Sequence, residues 1–503
     1  MLKNNVVLFW LFVICAVAYF LPELTQTYYF NDDIGRNAIG FGLYDNSGWG
    51  EYADSGRPAA EIVIRLLSGW IGRAKDVLAV DIAPVTKLLS ALSLAATAWI
   101  IYRKVIEHVS WMGFLLALSV VFSPWFIHCI QYSFDSVTMG AALLLTVLPF
   151  LSQRNNKSCI FFFISYFISL CFYQLFLVSP FIIIILILLK IWLEEGKISD
   201  DVQNYYGRVI VSLVTSFITY KAALMLLPLR DYALIHSKLL SISLVLPAQV
   251  VTRMGYLIDV YFSPFYGVAG IVLIGLIFLA LTGVAMQAKM SGRNIWLVIL
   301  AHVIIGVFTL LVALLPQSLL RDPVYAGRTM AGNQFVMLVW LYPLIYLRSA
   351  FFKTVCISWI VFFTLMAALN AAITNAIRAQ YNYEDRLLNV ILTYPMHDVL
   401  PASITYIPPY NAKNKIWLRQ ARNVRNNFPF AKYVLHNTYM LSTSIWATRQ
   451  TQLYNREVAF SFGDGSRDFC QWPDKLVMQE FIMYGKGDRR YVDFGKTACD
   501  PVK

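Results

Sequence analysis

The chain has 503 residues, 58% of them hydrophobic and 14% charged, with a formal net charge of +12 and a mean hydropathy of +0.59. A soluble domain carries about 25% charged residues, so one large water-soluble globule is excluded, as are a disordered chain and a small disulfide-built scaffold. The positive charge falls mostly in short gaps between apolar runs, a pattern of membrane topology and not of nucleic-acid binding.

A helix needs about 20 apolar residues to cross the hydrocarbon core. In chain order the apolar runs predict about eleven spans, centred on 6–22, 78–101, 112–130, 137–151, 159–175, 177–193, 208–228, 265–286, 294–315, 332–348 and 354–374. Lys3, Arg103 and Lys104, Arg154 and Lys157, Lys190 and Lys197, Lys289 and Arg293, and Arg348 and Lys353 lie in alternate gaps. Those gaps are therefore read as cytoplasmic, with the N-terminus inside and the tail outside. Residues 1–22 also fit a cleaved signal peptide, with a basic start and the small-x-small Ala16-Val17-Ala18; both readings stand.

The outer side then holds a long first loop, 23–77, smaller loops near 130–136, 229–262 and 316–331, and the tail. Residues 1–374 read as a transmembrane domain and 375–503 as a periplasmic domain. The tail is polar and mixed in charge, and it reads as a small soluble α/β or α+β domain. It is predicted helical over 410–450 and strand-like over 451–497, with turns at Gly463-Asp464-Gly465 and Gly485-Lys486-Gly487. The fold class is a polytopic α-helical membrane protein with periplasmic interfacial helices and this C-terminal domain.

Of seven cysteines, Cys15, Cys129, Cys159, Cys171 and Cys356 lie in or beside spans and read as packing residues. Cys470 and Cys499 lie in the outer tail, where an oxidising periplasm favours a disulfide between them. No cysteine or histidine pair has zinc spacing. There is no Gly-x-x-x-x-Gly-Lys phosphate loop, no Asp-x-Asp and no Gly-x-Ser-x-Gly elbow. No metal or cofactor is predicted, and His302, inside a span, reads as a buried hydrogen-bonded residue.

The first outer loop carries Tyr28-Tyr29-Phe30-Asn31-Asp32-Asp33-Ile34-Gly35-Arg36. Two adjacent acids at a membrane interface are costly unless solvated or employed. Side chains of neighbours on a helix diverge, so one acid can face a cleft while the other caps the helix. Arg36 follows Asp33 by one turn. An ordinary helix start with dipole-friendly acids explains the same residues. Further on, Glu51-Tyr52-Ala53-Asp54-Ser55-Gly56-Arg57-Pro58 leads into an amphipathic interfacial helix over 59–72. Arg57 stands at its entry, a place suited either to a phosphate or to a structural pair with Asp54.

An acidic pair after the first span, an arginine one turn on, and Gly-Arg-Pro before an interfacial helix together resemble the membrane-embedded C-type glycosyltransferases. The likeness is greatest to the phage-type serotype-converting glucosyltransferases that modify O-antigen. The plan is shared over the whole chain, the motifs over residues 28–58. The resemblance implies undecaprenyl-phosphate-glucose as donor and an O-antigen (lipopolysaccharide) repeat on a lipid carrier as acceptor, with inverting transfer on the periplasmic side of the bacterial inner membrane. It also implies inner-membrane lipid around the bundle and two functional partners, a donor-synthesising glycosyltransferase and a donor flippase. In related enzymes the acid three residues before the arginine is catalytic. Here that is Asp33, with Asp32 the second choice.

Such a displacement needs a base for the acceptor hydroxyl and positive charge for the leaving phosphate. The expected phosphate holders are Arg57, Arg321, Arg328 and Arg36, with Arg230 and Arg253 behind them. Asp135, Asp54, Tyr173 and Gln174 are expected to place the acceptor or to orient an arginine. Tyr406, Tyr410, Trp417, Tyr433, Trp446 and Trp472 in the tail suit either sugar stacking or packing of the tail itself. The alternatives are another lipid-linked glycan enzyme, an O-antigen polymerase or ligase, or a lipid-sugar flippase, although neither repeats nor mid-span acids favour transport.

Overall fold

The computed structural model describes residues 5–25, 28–30, 32–39, 50–69, 80–241, 245–394, 399–407, 417–435, 458–462, 468–494, 496 and 499. Six of its helices are long and apolar enough to cross a membrane: Val85–Ile106, Gln174–Glu195, Asp200–Leu224, Val268–Met290, Ile295–Ser318 and Ser349–Thr393. Five shorter apolar helices, Asn5–Tyr19, Trp111–Val121, Asp135–Leu151, Asn156–Phe172 and Phe335–Tyr346, stand where the other expected spans lie. Ile271, Ile274 and Phe278 on one helix and Trp296, Leu300 and Ile304 on the next point out of the bundle. Apolar residues on the outer as well as the inner face mark helices whose surroundings are lipid.

Proline accounts for two differences from the expected spans. The run 112–130 is broken: its helix stops at Val121, and a short one, Phe126–Ile130, resumes after Ser123-Pro124. The run 332–348 tightens to a 3-10 turn, Tyr342–Tyr346, at Pro343. A proline lacks the N–H that would continue the ladder and crowds the turn before it.

The alternate gaps gather at the two ends of the bundle. At one end Lys190 meets Glu107 at 2.6 Å, Arg293 donates to the carbonyls of Trp192 and Leu193, and Glu194 accepts from Tyr342 and Tyr346. The other end carries the first loop, residues 131–135, Tyr173, Arg230 and Arg328. Helices Val85–Ile100 and Asp135–Val147 pack very closely: a Cβ on Gly140 would lie 2.8 Å from the Cα of Ser90. This contact sets Lys87 and Asp135, one near the start of each helix, at the same end.

Helix Ser349–Thr393 has 45 residues, about 67 Å of rise, where a bilayer core needs about 30 Å. Residue 374, the expected end of the membrane domain, is inside it. Its last turns, through Leu387, Leu388, Ile391 and Leu392, form a second core with Ile404, Phe481, Met483 and Val492. The sheet in that core comprises β1 (Ser403–Ile407), β2 (Ala459–Phe462), β3 (Asp474–Val477), β4 (Ile482–Lys486) and β5 (Arg489–Asp493), in the order β2-β1-β5-β4-β3. β1 is parallel to both neighbours, and β3-β4-β5 run antiparallel. The turn between β4 and β5 is Gly487-Asp488, with Gly487 at φ +59°, so Gly485 and Lys486 belong to β4 and not to the turn as expected. Cys470 and Cys499 are joined by a disulfide with Cα atoms 5.5 Å apart.

The predicted helix over 410–450 is shorter where it is described. It spans Arg419–Asn427, then breaks into a 3-10 turn at Pro429. This segment does not join the sheet: Ala421, Phe430, Ala431 and Val434 belong to the core of the helical bundle. Tyr406 lies in β1, Trp472 packs edge-on against Tyr491 at 5.2 Å, and Tyr433 hydrogen-bonds Asp259. The turn at 463–465, Tyr410 and Trp446 lie outside the described residues.

Gly140→Val should force the two helices apart and cost roughly 1–3 kcal/mol as an overpacked contact. Thermal unfolding in detergent checks this, and an unchanged midpoint would contradict the close contact.

Candidate active site

The site grows from the first loop. Asp32 and Asp33 open helix Asp32–Ile39, where its N-terminal dipole tolerates acids. Asp32 keeps partial exposure, whereas Asp33 is fully buried and points into the bundle. One turn on, Arg36 is also fully buried and sits among three carboxylates. It grips Glu51 with both ends of its fork, at 3.1 Å each, meets Asp135 at 3.1 Å, and lies 3.6 Å from Asp33.

Glu51 is delivered by a one-turn helix, Glu51–Asp54, entered through Gly50 at φ +115°. Only glycine fits there, because a Cβ would collide with the Glu61 carboxylate that accepts the Tyr52 N–H. The interfacial helix follows as Pro58–Leu67, with Pro58 in its first turn and Ala60, Glu61 and Ile64 buried. It is shorter than the expected 59–72 because Gly69, at φ +71°, closes it; residues 70–72 lie outside the described residues.

Arg57 stands on the other side of Asp135, its Nη1 3.7 Å from Oδ1. Its guanidinium lies 5.1 Å over Tyr52 and 5.4 Å over Tyr173, a cation–π cradle. Arg36 occupies the neighbouring position over Tyr52 at 4.8 Å. Arg57 thus turns to Asp135 and not to Asp54. Asp54 is buried, and its carbonyl accepts the Arg230 N–H at 3.0 Å. Arg230 in turn reaches to 3.9 Å from Glu51. Gln174 anchors the loop by donating to the Gly56 carbonyl at 2.9 Å.

Arg328 enters from the 3-10 helix Gly327–Asn333 that precedes Phe335–Tyr346, half buried, and hydrogen-bonds the Tyr132 hydroxyl. Arg321 does not join this group. It is exposed, its N–H is held by the Lys238 carbonyl at 2.7 Å, and its own carbonyl accepts from Arg253. Arg321, expected as a phosphate holder beside Arg328, therefore stands apart from the cluster among the described residues.

Burial pushes the Asp33 carboxyl up to about 7, against the opposing pull of Arg36 and of the Ser133 N–H that donates to it at 2.7 Å. Asp33 is the carboxylate most weakly held by the shared arginine, since Glu51 and Asp135 take the short bonds.

Several members of the site carry no clear sequence signal. Glu51 and Tyr52 are ordinary residues of a polar loop until Arg36 meets them. Lys87 is 1% exposed, lies 5.2 Å above the Tyr28 ring and is within electrostatic reach of Asp33 and Glu23. Its ammonium has no hydrogen-bond partner among the described residues. One clue to it was available, namely a charge at the head of an apolar helix. Glu23 is fully buried and accepts from Gln131 and Asn370 at 3.1 Å each, with Thr374 also bonded to it. This ties the long helix to the site. Among the described residues no group of three His, Cys, Asp or Glu is arranged to hold a metal ion.

Comparison with known proteins adds two findings. The family model described as Glucosyl transferase GtrII matches residues 21–339, which include the acids and arginines of this cluster but not Asn370 and Thr374. A Salmonella phage P22 protein, described as an uncharacterized 55.3 kDa protein in the gtrB 5' region, is 23% identical over 245 residues. That match covers 48% of this chain and 47% of the phage protein, about half of each.

Glu51→Ala would leave two Arg36 donors buried without acceptors. Breaking a buried pair in this way costs about 3–5 kcal/mol. The variant should unfold at a markedly lower temperature than wild type, whereas Arg321→Ala should unfold at the wild-type temperature.

Proposed function

The chain belongs to the GtrII glucosyl transferase family, and on that premise we propose that it transfers glucose from undecaprenyl-phosphate-glucose to a sugar of a lipid-linked O-antigen repeat, on the periplasmic face of the bacterial inner membrane. Asp33 takes the proton of the acceptor hydroxyl as that oxygen bonds to the anomeric carbon. The bond from that carbon to the phosphate oxygen breaks with inversion, and undecaprenyl phosphate departs. Arg57 and Arg328, which like Arg230 keep some exposure, hold the phosphate oxygens as charge develops. Arg36 is saturated by its carboxylates and serves to position Asp33 and Asp135. Residues 1–374 act as the membrane-embedded catalytic unit, with about eleven crossings and the N-terminus in the cytoplasm, and the tail stands in the periplasm.

The observation that carries this reading is the state of Asp33. It is a buried carboxyl titrating near neutrality beside an arginine engaged elsewhere, and so it can both lose and gain a proton at working pH. The gathering of residues from every gap read as outer supports the same side for the chemistry. No observation favours transport, because the acids cluster at one end of the bundle and not at its middle.

Purified protein given synthetic polyprenyl-phosphate-glucose and a lipid-linked O-antigen acceptor should form a glucosylated product. Asp33→Asn keeps an acceptor for the Ser133 N–H and should fold, yet lose roughly 10²–10⁴ of the rate. The base must be ionised, so the wild-type rate should rise with pH through about 7 and level off above it. Transfer by Asp33→Asn within a few-fold of wild type removes Asp33 from the mechanism.

A further inference from the structure

A cavity of mixed polar and apolar lining lies outside the carboxylate–arginine cluster. Its volume is about 450 Å³, within the range of small-molecule sites. Three separate parts of the fold build its walls: Tyr383 on the long helix, Trp417, Arg419, Arg422 and Asn423 on the segment that returns to the bundle, and Glu480 between β3 and β4.

The walls are braced. The Leu418 N–H donates to Gln380 at 2.9 Å, and Gln380 donates to Glu384 at 2.8 Å, pinning the returning segment to the helix. Arg425 lies 5.0 Å over the Trp417 ring. Tyr383 donates to Glu480 at 3.2 Å, fixing that carboxylate at the rim. Arg419 and Arg422 share one helix face, and neither has an ion-pair partner among the described residues.

This lining combines two aromatic side chains, Tyr383 and Trp417, the latter with one face taken by Arg425, for the C–H side of a pyranose, guanidinium and amide donors for hydroxyl oxygens, and one oriented carboxylate for hydroxyl hydrogens. A bare phosphate would meet Glu480 at the rim and gain nothing from the rings. The position also matters. Tyr383 is nine residues beyond Thr374, which is bonded to Glu23 beside the cluster. Nine residues are about 14 Å of rise and half a turn of rotation. The cavity is thus displaced from the candidate active site along the helix and turned away from it, out of reach of the reacting sugar.

We propose that this cavity is a carbohydrate subsite that binds a remote stretch of the acceptor glycan, so that the protein engages a polymer and not only the sugar it modifies. The inference rests on the acceptor class proposed above. Binding without turnover tests it, using full-length protein in nanodiscs and delipidated O-polysaccharide fragments of graded length, followed by saturation-transfer NMR and calorimetry. Wild type and Asp33→Asn should bind the longer fragments alike. Arg422→Ala and Asn423→Ala change exposed residues and should fold, and each should weaken binding by about tenfold. With lipid-linked acceptors of graded length, the same variants should raise KM for long chains and leave single repeats unaffected. Equal affinity in wild type and both variants overturns the subsite, as does a wild type that binds only phosphatidylglycerol vesicles. Because glycan binding is read without transfer, its failure is distinct from failure of the catalytic reading.

Discussion

One buried guanidinium organises the working end of this molecule. Arg36 has no contact with water, and a charge in that position is stable only when its fork is filled. Glu51 and Asp135 fill it with short bonds, and Asp33 stands slightly farther off. The three acids come from three different segments, so folding of the first loop and seating of the Asp135 helix are one event. The surplus negative charge then draws in Arg57 beside Asp135 and Arg230 beside Glu51.

That arrangement divides labour among acids that look alike in the sequence. Glu51 and Asp135 are committed to arginine. Asp33 is buried at full desolvation cost with a weaker share of compensation, which is what places its titration near neutrality. A group so placed is poor as a structural ion and well suited to proton transfer. Tyr52 and Tyr173 complete the arrangement by giving Arg57 an aromatic bed instead of a second carboxylate.

The long helix Ser349–Thr393 links this end to the tail. Asn370 and Thr374 lock it to Glu23, and its last turns form one wall of the sheet core. A continuous helix transmits position over its whole length, so the sheet is held at a fixed height above the cluster. The segment 417–435 closes the same joint from the other side. Phe430 sits over Gly327, next to Arg328, where a Cβ on the glycine would come within 2.7 Å of the ring. A tail residue therefore shapes the approach to a candidate phosphate ligand, and membrane part and tail are one mechanical unit.

The sequence by itself determined the membrane class and the places of the apolar helices, because hydropathy acts locally and is set by the solvent. It also singled out Asp33 and Arg36, since an i,i+3 pair is a local fact of helix geometry, and Pro58 as a helix start. Only the tertiary structure decided which charges meet. Glu51, Lys87 and Tyr132 gain their meaning from partners tens to hundreds of residues away, and Arg321 loses its expected role because its loop points it outward. The return of 417–435 to the bundle was equally hidden: an amphipathic helix shows that it has an apolar face but not which core will bury it. Periodicity records the solvent a residue prefers. The identity of its neighbour depends on how whole helices pack, and that is settled by contacts such as Gly140 on Ser90, which no local pattern encodes.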